Sequence, residues 1–167
     1  MDNDVQIKLT ATATDTEMIR SLFRSYRDAY MHDIEFAKYV ADESYETELA
    51  QLPHPYLTPG GLILATHDGK ACGGLGLKPF AEGVLELKRM YLFPEYRRKG
   101  LAQQLITFAQ AHARQVQAIH TILLDTVPAL FPGAHELYTK MGFTEIAPYW
   151  NSPLAGTVYM RYDVPQG

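Results

Sequence analysis

The chain has 167 residues, 47% of them apolar and 20% charged, and a net charge of -4. That is about one domain's worth of chain, with ordinary globular composition and enough length to bury a core. The acidic balance argues against non-specific nucleic-acid binding. The single cysteine, Cys72, leaves no internal disulfide, and no apolar run is long enough for a membrane-spanning helix.

No repeat, low-complexity tract or linker divides the sequence, so residues 1–167 read as one domain. The polar start Met1-Asp2-Asn3-Asp4 lacks the apolar run of a signal peptide. With one cysteine, a reducing compartment and a cytoplasmic location are expected.

Val5 to Thr10 alternates apolar and polar residues and predicts a half-buried strand. Thr14 with Glu17 three residues on predicts a capping box and a helix start. Ile19, Leu22, Phe23, Tyr26 and Tyr30 then form one stripe, a core face on which Tyr26 and Tyr30 could also border a pocket. Met31 to Ala41 carries Ile34, Phe36 and Tyr39 without a clear period. Ser44 is a candidate cap for a short second helix with Tyr45, Leu49 and Leu52 inward. This region is dense in charge: His32, Asp33, Glu35, Asp42, Glu43, Glu46 and Glu48. Two readings stand, a solvated face or a rim that attracts an amine.

Pro53, Pro55, Pro59, Gly60 and Gly61 predict a loop. Strands are expected over Gly61 to His67 and Lys70 to Pro79, joined by the hairpin dipeptide Asp68-Gly69. Cys72 lies within the second, with no activating base near it in sequence, and reads as a small buried hydrophobe. Phe80 to Gly83 turns the chain into a central strand over Val84 to Leu92, which Pro94 ends. A helix follows from Leu101, with Leu101, Leu105, Phe108, Ala109 and His112 on one face. Ile119 to Asp125 suits a buried parallel strand. Gly133 to Met141 predicts a short helix closed by Gly142. Phe143 to Ile146 and Thr157 to Asp163 are closing strands around the aromatic loop Tyr149-Trp150.

Between the central strand and its helix sits Arg97-Arg98-Lys99-Gly100-Leu101-Ala102. The first amides of a helix have no intrahelical partner, and the helix dipole is positive there. Gly100 lets a ligand approach the backbone, and three cations add charge. Such a turn is either a solvated basic corner or a site for a pyrophosphate.

Arg97-x-x-Gly100-x-Ala102 resembles the Arg/Gln-x-x-Gly-x-Gly/Ala signature of the GCN5-related N-acetyltransferases, the GNAT superfamily. Leu124-Asp125-Thr126 and Glu136-Leu137-Tyr138-Thr139-Lys140-Met141-Gly142-Phe143 resemble the same family in the right order. The resemblance implies an α/β GNAT fold, a mixed central sheet with helices on both faces and splayed central strands. It implies a cytoplasmic enzyme that transfers acetyl from acetyl-CoA by direct attack of a primary amine, on a small molecule or an amino terminus.

By that resemblance the amides of Arg98, Lys99, Gly100, Leu101, Ala102 and Gln103 hold the pyrophosphate beside Arg97. The Met90 and Leu92 backbones pair with the pantetheine arm, and the amide of Met90 or Tyr91 polarises the acetyl carbonyl. Tyr138 is the general acid that protonates the thiolate. Its phenol, protonated at neutral pH, suits the task. Glu86 is the candidate base, although a water relay or a surface pair with Lys88 would account for it equally. Alternation places Glu86, Lys88 and Met90 on one strand face. The acceptor amine is the expected partner, and homodimers are frequent in the family. Two other readings keep the cradle: a CoA-binding sensor, or an enzyme using another acyl-CoA. The chain departs from the pattern at Phe131, where many members carry an asparagine. The six histidines have no metal-site spacing, and no metal is expected.

Overall fold

The computed structural model describes residues 4–41 and 43–167, apart from the side chain of Glu43. The acidic N-terminal residues 1–3 and Asp42 of the charge-dense stretch lie outside the described residues. In chain order the elements are β1 (Val5–Leu9), α1 (Ala13–Tyr30), α2 (Ile34–Val40), α3 (Glu43–Gln51), β2 (Gly61–His67), β3 (Lys70–Ala81) and β4 (Val84–Leu92). A 3-10 turn (Pro94–Tyr96) leads to α4 (Leu101–Gln115), β5 (Thr121–Thr126), α5 (Ala134–Lys140), β6 (Thr144–Ile146) and β7 (Val158–Asp163).

The seven strands form one sheet in the order β1-β2-β3-β4-β5-β7-β6. Only β4 and β5 pair in parallel, since a helical crossover joins them. The sheet is therefore mixed, mostly antiparallel, and open. Helices cover both faces. On one side α4 and α5 bury Leu101, Leu105, Ile106, Ala109 and Tyr138 against Ile63, Leu75, Leu85, Leu87 and Ile122. On the other, α1, α2 and α3 bury Ile19, Leu22, Phe23, Phe36 and Leu49 with Leu62, Leu64 and Tyr91. Gly76 makes the second layer fit: a Cβ there would come within 2.4 Å of the Tyr56 ring.

The β4–β5 ladder is short. Its register runs Val84↔Thr121, Leu85↔Ile122 and Glu86↔Leu123, and ends there. Beyond it β4 continues along β3 alone, so the central strands splay. A β-bulge adds to this. Gly74 faces Tyr91 while Gly76 faces Lys88, so Arg89 and Met90 together oppose Leu75. Arg89 takes up the extra residue with a positive φ of 62°. The bulge inverts the alternation expected for β4. Glu86 and Lys88 do share a face, but Met90 and Leu92 pack with the α4 layer and Tyr91 with the α1 layer.

Local expectations shift in several places. The capping box of α1 is Thr12 with Asp15, not Thr14 with Glu17: the Thr12 hydroxyl accepts the Asp15 amide at 3.1 Å, and Asp15 accepts the Thr12 amide at 3.2 Å. The Thr10 amide is the last to bond β2, to Leu62 O at 2.9 Å, so the helix can begin early. Met31 to Ala41 contains a full helix, α2, capped by Asp33 accepting the Phe36 amide at 2.8 Å. Ser44 lies inside the first turn of α3 rather than before it. The third strand runs on through Ala81, leaving Glu82 and Gly83 as the turn. On α4, Ile106 and Ala113 are core residues, while Phe108 and His112 sit on the flank of the buried stripe. The Asp68-Gly69 hairpin turn forms with both residues at positive φ, 50° and 73°. Among the described residues no helix is long and apolar enough to cross a membrane.

Candidate active site

The turn before α4 is built to leave amides free. Arg97 is extended, and Arg98 and Gly100 have positive φ, 60° and 83°, backbone geometry of the kind found where successive N–H groups form anion-binding concavities. The first helical bond is from Gln104 to Gly100 O at 3.1 Å. Leu101, Ala102 and Gln103 thus open the helix with their amides toward its positive end. Space around Gly100 is open: a Cβ there would meet nothing within 4 Å. Arg98 and Lys99 are exposed. The Arg97 side chain turns back instead. Its Nε donates to Leu92 O at 3.0 Å, and its guanidinium lies 5.3 Å from the Tyr91 ring centre. Arg97 thereby ties the turn to the end of β4.

The splay opens a cleft between β4 and β5. Leu87, Lys88, Arg89 and Met90 from β4 form one wall, and Asp125, Thr126 and Val127 from the end of β5 the other. Tyr26, Phe36, Tyr39 and Phe131 cover it from the α1 side; Tyr138, Trp150 and Leu154 complete it. Phe131, at the position where the family's asparagine was expected, stacks parallel to Tyr26 with 6.0 Å between ring centres. It turns that part of the cleft apolar.

Tyr138 projects from α5 into the cleft, its ring edge-on to Phe143 at 5.7 Å. Burial, and then the nearby Asp125 carboxylate, push its hydroxyl above the usual phenol range. It is a protonated donor throughout the neutral range. Among the described residues the hydroxyl has no protein hydrogen-bond partner.

Glu86 is buried, 5% exposed, and does not itself line the cleft. Tyr149 Oη donates to its Oε2 at 2.6 Å, and Lys88 Nζ lies 3.8 Å from Oε1. Burial, then the Glu86 charge, raise the Tyr149 hydroxyl's pKa, so this bond keeps its proton on Tyr149. The structure brings together Tyr138, the bulge of β4 and, behind Lys88, Glu86. Sequence reasoning missed Asp125, whose Oδ2 accepts the Trp150 indole N–H at 2.6 Å, and the role of Phe131. The aromatic loop after β6 was the available signal for the first.

Among the described residues, several carboxylates of the acidic stretch before the proline loop have local partners. Asp33 caps α2, Glu46 pairs with Arg27, Glu35 pairs with Lys38 at 3.2 Å and Glu48 with Arg89 at 3.0 Å. None of its described carboxylates lines the cleft. Cys72 is fully buried and its thiol is pushed up to about 11 by burial, which fits the packing role.

The model of the acetyltransferase (GNAT) family matches residues 19–143, from within α1 through the splay and the turn before α4 to Tyr138 and Phe143. The chain belongs to the GNAT family. It is an acyltransferase. An uncharacterized N-acetyltransferase of Schizosaccharomyces pombe is 28% identical over 165 residues, covering 97% of this chain and 96% of the relative. A GNAT acetyltransferase from Staphylococcus aureus superposes with a TM-score of 0.76 at 21% identity, over 96% of this chain and 99% of that one. The PaiA N-acetyltransferase of Thermoplasma acidophilum in complex with coenzyme A superposes with a TM-score of 0.73 at 21% identity, over 95% and 98%. The GNAT fold accounts for the splay and for the crossover that carries the basic turn.

Proposed function

We propose that the whole chain is one cytoplasmic N-acetyltransferase domain that uses acetyl-CoA to acetylate a primary amine of a small molecule or of a peptide amino terminus. The observation that carries the donor assignment is the amide concavity at Arg98 to Gln103, opening beside a strand edge that β5 leaves unpaired after Glu86. A pyrophosphate suits the amides, and an extended amide-bearing arm suits the edge of β4 at Met90 and Leu92. The coenzyme A complex of the Thermoplasma relative supports the same donor chemistry.

In this reading the acetyl carbonyl accepts from the amide of Met90 or Tyr91, where the bulge turns the backbone from its ladder. The amine gives up a proton and attacks that carbonyl. A C–N bond forms, the C–S bond breaks, and the leaving thiolate takes the Tyr138 proton. Starting from the ammonium, one proton passes through water toward Glu86 and is released in the net reaction, and the second, shed by the attacking nitrogen as the C–S bond breaks, returns to the Tyr138 phenolate.

Thermal unfolding with and without acetyl-CoA tests the donor. At about a hundred times its dissociation constant a ligand contributes ~2.7 kcal/mol, which raises Tm by roughly 5–11 °C in a domain of this size. Gly100→Asp should abolish the rise, because a carboxylate would face the phosphates; Asp is among the residues that tolerate the positive φ there. No rise in the wild type would overturn the assignment.

A further inference from the structure

Among the described residues the cleft is lined by one carboxylate, Asp125, and no cation stands in ion-pair contact with it. Glu48 is paired with Arg89 at 3.0 Å, and Glu86 is held between Tyr149 Oη at 2.6 Å and Lys88 Nζ at 3.8 Å. Asp125, half-buried on the opposite wall, accepts only the neutral indole N–H of Trp150. Among the described residues it forms no ion pair. Burial raises its pKa, outweighing the Trp150 hydrogen bond and the more distant Lys88 and Arg89 charges, which lower it. It is also close enough to Tyr138 for its charge to bear on that hydroxyl, which ties it to the end of the cleft where the thioester would react.

The rest of the cleft has a different character. Tyr26, Phe36, Tyr39, Phe131 and Leu154 present rings and an isobutyl group. Lys88 and Arg89 also line it, each turned to another carboxylate, Glu86 and Glu48, and, away from Asp125, they disfavour a second positive charge.

We propose that Asp125, oriented by Trp150, receives the ammonium of the acceptor, and that the acceptor is a monoamine with an aromatic or apolar body. This rests on the acetyl-transfer reading above. A charge-assisted bond to Asp125 holds the ammonium on the β5 wall, and the rings enclose the body. Polyamines and aminoglycosides fail for want of a second free carboxylate. An α-amino acid fails because its own carboxylate would lie against Asp125.

The test uses the intact protein with 2-phenylethylamine, spermidine and phenylalanine as acceptors, following CoA release, and 2-phenylethanol as a neutral ligand. The wild type should favour 2-phenylethylamine. Asp125→Asn keeps an oxygen for the indole but loses the charge. It should raise the KM for 2-phenylethylamine about ten- to a hundredfold, while leaving the acetyl-CoA Tm rise and the affinity for 2-phenylethanol unchanged. Trp150→Phe, which removes the donor N–H together with part of the ring, should raise that KM by a smaller factor. Preference for spermidine or phenylalanine, or an unchanged KM in Asp125→Asn, overturns the proposal. The wild-type panel decides this even where a variant fails to fold. A normal acetyl-CoA rise with any of these results sinks the acceptor site alone; a missing rise in the wild type sinks the donor reading beneath it.

Discussion

Arg89 Nε lies 3.0 Å from Glu48 Oε2, joining the bulge of β4 to the middle of α3 across a nearly dry interface. The two side chains are 9% and 14% exposed, and the guanidinium also sits 4.5 Å from the Tyr45 ring centre. Arg89 is the residue that carries the positive φ of the bulge. A non-glycine residue in that region is held there by its surroundings. Here the holding is done by the side chain itself, anchored in a helix. The pair therefore fixes the bulge backbone beside Met90, which lines the cleft.

Removing one member should be far worse than removing both. Arg89→Met would leave the Glu48 carboxylate buried without its cation, and should destabilise by about 3–5 kcal/mol. The double variant Arg89→Met with Glu48→Leu should recover most of that loss, because no buried charge remains. Urea unfolding of the four proteins in a double-mutant cycle measures the difference. A double variant as unstable as Arg89→Met would show that the cation over Tyr45, and not the ion pair, holds the bulge.

The parts of the fold set by local pattern were legible. Val84 to Leu92 reads as a strand from its composition, and Asp68-Gly69 as a hairpin turn from the two residues that tolerate positive φ. The amide turn was legible because its chemistry lies in consecutive residues. What stayed hidden depends on distant partners. Nothing in Lys88-Arg89-Met90 marks a bulge, since the extra residue is defined only by the register of β3. Asp125 and Trp150 are far apart in sequence and meet only because the loop after β6 folds over the end of β5. The carboxylates of Asp33, Glu46 and Glu48 look alike in sequence, and only the folded neighbours separate a cap from an ion pair.

Tyr138→Phe should lower kcat by about a hundredfold or more, the range for losing a positioned acid, with a smaller change in the KM for acetyl-CoA. The fold should tolerate it, because the hydroxyl has no protein partner among the described residues and the ring keeps its contact with Phe143. Burial raises the phenol's pKa, so its loss as an acid should lie above the usual tyrosine range. The wild-type kcat should then show no basic limb from Tyr138 between pH 7 and about 10. Steady-state kinetics across that range, with Tm as a folding control, checks both statements.

Acid stability should depend on Asp15. Its carboxylate accepts the Ala11 amide at 2.9 Å and pairs with Lys8 Nζ at 2.9 Å, and these contacts hold its pKa down to about 2 from 3.8. A depressed folded-state pKa stabilises above the unfolded value and is lost as pH falls through the folded one. The difference in unfolding free energy between wild type and Asp15→Asn should therefore be full above about pH 5 and fade toward pH 2. Urea titrations at pH 6, 4 and 2.5 measure it. A gap that stays constant over that range would mean the capping geometry alone matters, and not the charge.

Glu86 offers the sharpest separation of chemistry from structure. Its carboxylate holds Tyr149 at 2.6 Å, so removing it costs packing as well as charge. Glu86→Gln preserves an oxygen for the Tyr149 hydroxyl, and Tyr149→Phe removes that bond while leaving the carboxylate and Lys88. If the amine's proton travels to Glu86, Glu86→Gln should lower kcat by about a hundredfold. Tyr149→Phe should keep kcat and lose only the stability of one hydrogen bond to a charged group, about 1.5–3 kcal/mol. Equal losses of stability in both variants, with kcat unchanged in each, would assign Glu86 to holding the aromatic loop over the sheet and leave the amine's proton to water.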